Sequence, residues 1–185
     1  MHRIYLAVAL AFALAIGACS PMVYVHGIPN LAQVDTNVWR SGQITTPEGW
    51  AYLKQLAAGR RVHVLKLNFD HEGSDALALA SGIDVHVLAI QPKGDQDMWD
   101  DIHAAFTQPD PNVVREAEAL LASATRNDVW LVHCTHGQDR TGYVIGQHRV
   151  LHDGWTKAAA YKEMLAHHFH PELHGVHEAW EDFRP

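Results

Sequence analysis

Cysteine is nearly absent from this chain: Cys19 and Cys134 are the two in 185 residues. A disulfide framework is therefore excluded as the source of stability, and apolar packing has to supply it. Positive charge is scarce as well. Fourteen Lys and Arg stand against 21 Asp and Glu, a formal net charge of −7, which argues against a nucleic-acid partner. No apolar run reaches the ~20 residues that cross a bilayer, the longest being Ile4 to Ile16. Internal repeats and low-complexity tracts are lacking too. What is left is a 48% apolar chain of a length that suits one globular domain behind a short leader.

The leader reads as an address. Met1-His2-Arg3 is a basic start, Ile4 to Ile16 an apolar core, and Ala18 a small residue before Cys19, the pattern of an export signal. Ile16-Gly17-Ala18-Cys19 also resembles the bacterial lipobox, in which the cysteine is lipidated and becomes the first mature residue. The expected organisation is a signal peptide over 1–18, a linker over 19–33 and a folded domain over 34–185. Each CH₂ of an acyl chain on Cys19 adds about 0.8 kcal/mol of membrane binding when buried. The expected place is the bacterial cell envelope, lipid-anchored at the outer membrane or the periplasmic face; Ser20 after the cysteine, rather than Asp, favours the outer membrane. Cys134 is then a lone thiol in an exported chain, which suggests a functional sulfur open to oxidation.

Periodicity outlines the domain. A strand is expected near Val34–Arg40, then a helix from Pro47, N-capped by Thr46, through Trp50, Leu53 and Leu56 to a stop at Gly59. Val62–Leu67 reads as a strand, Ser74–Ser81 as a helix ended by Gly82, Val85–Ile90 as a strand, and Pro111–Ala124 as a helix. Between them, Gln91–Pro109 reads as a long loop. The order predicts an α/β fold, a mostly parallel central sheet flanked by helices. Ligands of such sheets bind beyond the strand C-termini.

Beyond one of those C-termini stands the most informative stretch, His133-Cys134-Thr135-His136-Gly137-Gln138-Asp139-Arg140-Thr141-Gly142. The buried run Val129–Val132 precedes it, and helical periodicity begins at Thr141. The loop thus joins a strand to a helix N-terminus, where the backbone N–H groups of Thr135, His136, Gly137, Gln138, Asp139 and Arg140 lack intrahelical partners and can converge on an anion. Arg140 can grip two phosphoryl oxygens as a planar fork. Thiols in such electropositive places ionise readily, which marks Cys134 as a nucleophile. Thr141 can offer its hydroxyl to that sulfur, and Gly137 permits the backbone reversal. His133 is expected to orient the loop.

HCTHGQDRTG resembles the Cys-x5-Arg-Ser/Thr signature of the protein tyrosine phosphatase superfamily, in its compact dual-specificity branch. That branch takes in bacterial members, atypical plant and fungal members and cysteine-dependent inositol phosphate phosphatases. Asn37-Val38-Trp39-Arg40-Ser41-Gly42-Gln43 resembles the opening of such domains, and Gly154-Trp155 with Glu163-Met164 their later helices. The resemblance covers roughly 34–183 and implies a dual-specificity phosphatase-like fold. It implies a phosphomonoester hydrolase of phosphotyrosine or dual-specificity type that works through a cysteinyl-phosphate without metal or other cofactor. It also implies an aspartic acid on the Gln91–Pro109 loop as general acid. Asp95, just past Gln91-Pro92-Lys93-Gly94, is the first choice; Asp97, Asp100 and Asp101 are alternatives, and so is Asp139 inside the loop, with a structural ion pair as its default role.

Other readings remain open. An inositol polyphosphate or phosphoinositide needs several basic contacts, for which His136, Lys66, Lys93 and Arg40 are candidates. A different class of reading is a phosphate-binding module that turns over poorly. Sulfur transfer does not need the Thr-Gly helix entry, and arsenate reduction would want more redox cysteines. The histidines His167, His168, His170, His174 and His177 invite a metal, but Pro171 interrupts their helical spacing and no metal site is expected from them. Trp155, Trp180 and Phe183 read as packing residues.

Overall fold

The computed structural model describes residues 22–90 and 107–185. The leader, Cys19, Lys93, Asp95, Asp97, Asp100 and Asp101 lie outside them. Seven strands are β1 (Tyr24–Val25), β2 (Ile28–Pro29), β3 (Ala32–Gln33), β4 (Val38–Ser41), β5 (Arg61–Lys66), β6 (Asp84–Val87) and β7 (Asp128–His133). Among the described residues, six α-helices are α1 (Pro47–Ala57), α2 (Ala76–Ala80), α3 (Pro111–Ala122), α4 (Asp139–Leu151), α5 (Lys157–Ala166) and α6 (His174–Asp182). A 3-10 turn occupies Asp70–Glu72. β1 and β2 form a small hairpin, and the main sheet runs β3-β4-β7-β5-β6, with every pair parallel except β3 with β4.

β7 sits at the centre and is buried along its whole length. Its side chains alternate between faces, as a two-residue period requires. Val129 and Leu131 face α1 with Trp50, Leu53 and Val64, while Trp130 and Val132 face α3 to α6 with Leu65, Val144, Met164 and Trp180. α4 runs through the second layer and is buried from Thr141 to Arg149, so it carries no single apolar stripe. Trp180 and Phe183 pack into this layer. Trp155 is more exposed and covers the Arg149 guanidinium at 4.4 Å.

Two expectations need correction. The stretch expected as linker belongs, from Tyr24 on, to the folded body: Ile28 is fully buried against Ile44 and Trp50, and Ala32 pairs with Arg40. Alternating short apolar residues on a polar background hid this. The strand expected from Val34 starts at Val38, because Asp35 Oδ1 accepts the N–H groups of Asn37 and Val38 at 2.6 and 2.8 Å and turns the chain there. The α1 expectation holds: Thr46 caps Gly49 N–H at 3.1 Å and Pro47 takes the first helical position. Its stop begins one residue before Gly59, with Ala58 in the left-handed region at φ 52°.

Candidate active site

The loop between β7 and α4 reverses at Gly137, with φ 72°, where a side chain has no room. A Cβ there would lie 2.3 Å from the carbonyl carbon of Ser41 and 2.4 Å from the nitrogen of Gly42. Gly42 is equally confined, its own Cβ position falling 2.9 Å from the His136 carbonyl carbon. The loop therefore rests directly on the end of β4, backbone on backbone. Gln43 N–H donates to Thr135 O at 3.0 Å across the same contact.

Two side chains hold the Gly137 carbonyl from behind. Arg40, almost fully buried, donates to it from Nη2 at 2.9 Å, and Asn30 from Nδ2 at 2.8 Å. Together the two bonds fix the loop at its point of reversal. Burial lowers the Arg40 guanidinium to about 10, against the pull of Glu163 and Cys134. Arg40 is a scaffold here, and Lys66 is another. Lys66 is fully buried and donates to Asp70 Oδ1 and to Gly73 O, which closes the Asp70–Glu72 turn. Neither can meet a substrate as the sequence suggested, because both are enclosed by the chain they support.

That turn carries Glu72, and Glu72 grips the arginine. Arg140 donates from Nη1 to Oε2 at 2.8 Å and from Nη2 to Oε1 at 2.6 Å. Glu72 Oε2 also accepts Phe69 N–H at 2.8 Å. Burial raises the Glu72 carboxyl, but the bonds from Arg140 outweigh it and the net shift is downward; burial likewise lowers Arg140, and Glu72 reverses this to a net rise. The pair is a fixed, charged fork. His133 is anchored in the same manner from below, its Nε2 donating to Asp75 Oδ2 at 2.9 Å, while Gln43 donates to Asp75 Oδ1. Burial raises Asp75 and these two partners bring it to a net lowering.

A cavity of about 410 Å³ opens above the loop, lined by Glu72, Cys134, Thr135, His136, Asp139, Arg140, Leu173 and Val176. The expected nucleophile and guanidinium thus share one wall. Leu173 and Val176, from the start of α6, supply an apolar one. Asp139 does not pair with Arg140: its Oδ1 accepts His170 backbone N–H at 2.8 Å and His170 Nδ1 at 3.1 Å. That contact pins the segment leading to α6, so Asp139 also places the apolar wall. Burial dominates at Asp139 and raises its carboxyl. Gln138 stands at the helix entrance, its carbonyl accepting Gly142 N–H at 2.8 Å. Thr141 is fully buried, and its hydroxyl, like that of Thr135, has no hydrogen-bond partner among the described residues.

The C-terminal histidines separate. His167 Nδ1 donates to Asn30 Oδ1 at 3.0 Å, His170 meets Asp139, and His177 stacks on Tyr161. Sequence reasoning missed Glu72, Asp75, Asn30, Leu173 and Val176. A local signal existed for Glu72 alone, as an acid three residues after Phe69 that can take the Phe69 N–H.

Comparison with known proteins agrees with this geometry. The dual specificity protein phosphatase TpbA of Pseudomonas aeruginosa is 41% identical over 56 residues, which are 28% of this chain and 26% of that protein. The matched stretch is thus about a quarter of the relative's length. The crystal structure of P. aeruginosa TpbA superposes with a TM-score of 0.65 at 22% identity, over 89% of this chain and 92% of that one. The catalytic core of the S. cerevisiae PP-IP phosphatase SIW14, solved with citrate, gives 0.61 at 18% identity over 84% and 85%. Human DUSP28 gives 0.53 at 16% identity over 83% and 94%. At these identities the structures establish a shared fold. A model of the tyrosine phosphatase family matches residues 34–148, more than half of the sequence and the whole stretch from β4 to the last turn of α4, and the chain belongs to that family.

Proposed function

We propose that the chain hydrolyses phosphomonoesters through a cysteinyl-phosphate, with aryl phosphates of the phosphotyrosine type as its preferred substrates. One observation carries the choice. The cavity above Cys134 has an apolar wall of Leu173 and Val176, and Arg140 is the one Lys or Arg among its described lining residues, beside the carboxyls of Glu72 and Asp139. That suits one phosphoryl group on an apolar ring and opposes a ring bearing many phosphates. A cysteine-to-serine form of P. aeruginosa TpbA has been solved in complex with pTyr, which supports the same reading.

In the reaction, Cys134 Sγ attacks phosphorus in line, and the bond from phosphorus to the ester oxygen breaks. Arg140 and the loop amides hold the equatorial oxygens, on which charge collects in the transition state. A carboxylic acid gives its proton to the departing oxygen. The same carboxylate then takes a proton from water as that water attacks phosphorus and the S–P bond breaks, releasing phosphate. The Thr141 hydroxyl, with no hydrogen-bond partner among the described residues, is available to the departing sulfur.

Asp95 is proposed as the acid. Asp139 is a second reading, favoured by one observation: it lines the cavity and burial holds its carboxyl above the usual range. Rates for aryl phosphates of falling leaving-group acidity separate the two. Asp95→Asn should lose most on the poorest leaving groups, with Asp139→Asn falling uniformly; the reverse pattern moves the role to Asp139. For the substrate, kcat/KM should favour a phosphotyrosine peptide over a phosphoserine peptide and inositol hexakisphosphate by tenfold or more. Cys134→Ser should bind and not turn over. A wild-type chain that binds phosphotyrosine and never turns over would instead support a recognition module.

The chain is further proposed to be a lipoprotein anchored through Cys19 in a bacterial envelope. No helix among the described residues is long and apolar enough to cross a membrane. Cys19→Ala should leave the membrane fraction or fail to mature; recovery there at the wild-type level overturns the anchor.

A further inference from the structure

At the far end of α4 from the phosphate loop, three side chains converge that the reaction does not use. His148 and His152 lie one helical turn apart on one face of α4, and Glu118 reaches them from α3. His148 Nδ1 is 3.3 Å and His152 Nε2 3.6 Å from the same oxygen, Glu118 Oε2. The three ligand atoms all lie within 4.8 Å of one another. A fourth group stands behind them: Asp35 Oδ2 is 3.3 Å from His148 Nε2. Its other oxygen is fixed by the N–H groups of Asn37 and Val38.

Without a metal, His148 is held as imidazolium between the two carboxylates: burial lowers its pKa, but the hydrogen bonds to Asp35 and Glu118 outweigh this and raise it to about 9. Charge-assisted bonds between imidazolium and carboxylate close to ~2.7–2.9 Å, whereas both His148 contacts stay at 3.3 Å. Around a tetrahedral zinc with bonds of about 2.0–2.2 Å, neighbouring ligand atoms sit ~3.3–3.5 Å apart, close to the 3.3 and 3.6 Å from the two imidazoles to Glu118 Oε2. Burial makes the second argument. The Glu118 side chain is 8% exposed, yet its Oε1 has no hydrogen-bond partner among the described residues. The oxygen that faces both imidazoles is Oε2, and a cation held there would offset the cost of burying this carboxylate. Third, Asp35 on His148 Nε2 is the arrangement in which a carboxylate fixes the tautomer of a metal-ligating imidazole.

We infer that Glu118, His148 and His152 bind a divalent transition metal, zinc by preference, with Asp35 orienting His148. Two imidazoles and a carboxylate suit Zn²⁺ over Mg²⁺ or Ca²⁺, which prefer oxygen alone. His152 is 38% exposed, so water can reach the site. On binding, His148 Nδ1 coordinates as the neutral ring, and any proton it carried passes to solvent. The metal joins α3 to the last turn of the helix that begins at the phosphate loop. Its role is structural, because α4 separates it from Cys134.

The test uses the full chain with Cys19→Ser and Cys134→Ser, so that no sulfur competes, stripped with chelator and titrated with ZnCl₂ by calorimetry. One Zn²⁺ per chain is expected, with a rise in Tm. His152→Gln, at a half-exposed position that should fold normally, should weaken binding a hundredfold or more and abolish the Tm rise. Glu118→Gln should do the same. Asp35→Asn should weaken binding ten- to a hundredfold; Asp153 is held by Arg149 but also lies beside Asp35 and His148, and a greater loss in Asp153→Asn than in Glu118→Gln would overturn the assignment of Glu118 as ligand. No stoichiometric binding by the parent chain overturns the site. So does unchanged affinity in His152→Gln or Glu118→Gln, which would place the metal on other histidines.

Discussion

Acid should loosen the phosphate loop from behind, through His167. Its imidazole donates to Asn30, and Asn30 donates in turn to the Gly137 carbonyl and to His167 O, at 2.8 and 3.2 Å. Burial, and then the charge of Arg40, press this ring from 6.5 to about 4. The fold accepts His167 only in its neutral form. A histidine depressed in the folded state adds stability above its unfolded pKa, and that stability is lost as pH falls. The loss should begin near pH 6.5 and level off near pH 4. At about 1.36 kcal/mol per unit the whole change is about 3 kcal/mol, an upper figure because the ring is partly open to solvent. Urea unfolding of the wild type and of His167→Gln, from about pH 7.5 to about pH 4.5, measures it. Gln retains a donor for Asn30 and does not titrate, so groups common to both proteins cancel in the difference. The wild type should lose about 2–3 kcal/mol relative to the variant across that range. A difference that stays flat refutes the reasoning, since His167 would then be titrating alike in both states.

Gly137→Ala combines a left-handed backbone, costing a side-chain-bearing residue about 1–2 kcal/mol, with a clash against the fixed end of β4. Tm should fall by several degrees and aryl phosphatase activity should largely vanish; a variant normal in both would show that the two backbones are not locked together. Glu72→Gln removes the charge that holds Arg140 while keeping its size. kcat/KM should fall about tenfold, equivalent to ~1.4 kcal/mol and modest because the pair is partly solvated, with more of the loss in kcat than in KM. An increase would mean that Glu72 mainly repels the phosphate. Peroxide should inactivate the wild type in a manner first reversed by dithiothreitol and slowed by bound phosphate; inactivation that phosphate does not slow would place the oxidised group away from the cavity.

The core chemistry was legible because it is local. A strand of β-branched and apolar residues, a glycine at the reversal and a helix entrance lie within consecutive positions, and each acts through backbone geometry that neighbours in the chain impose. The helix caps were legible for the same reason: Thr46 and Pro47 act on amides two or three residues away. The early strands were less so. Ile28 and Ala32 belong to elements of two residues, too short to show a period, and their partners are Trp50 and Arg40.

By itself, the sequence determined that a cysteine and an arginine share one loop between a strand and a helix N-terminus, since that follows from seven residues and the turn they must make. Tertiary structure alone decided what holds them there. Glu72 on Arg140, Asp75 on His133, and Asn30 and Arg40 on Gly137 are pairs separated by 68, 58, 107 and 97 positions. So were the burial of Lys66 and Arg40 beneath the loop and the approach of α6 to wall the cavity. A polar residue far along the chain has no local mark of its partner. Its charge becomes a scaffold, a ligand or a catalyst only once the sheet closes and fixes which groups are left in the same dry space.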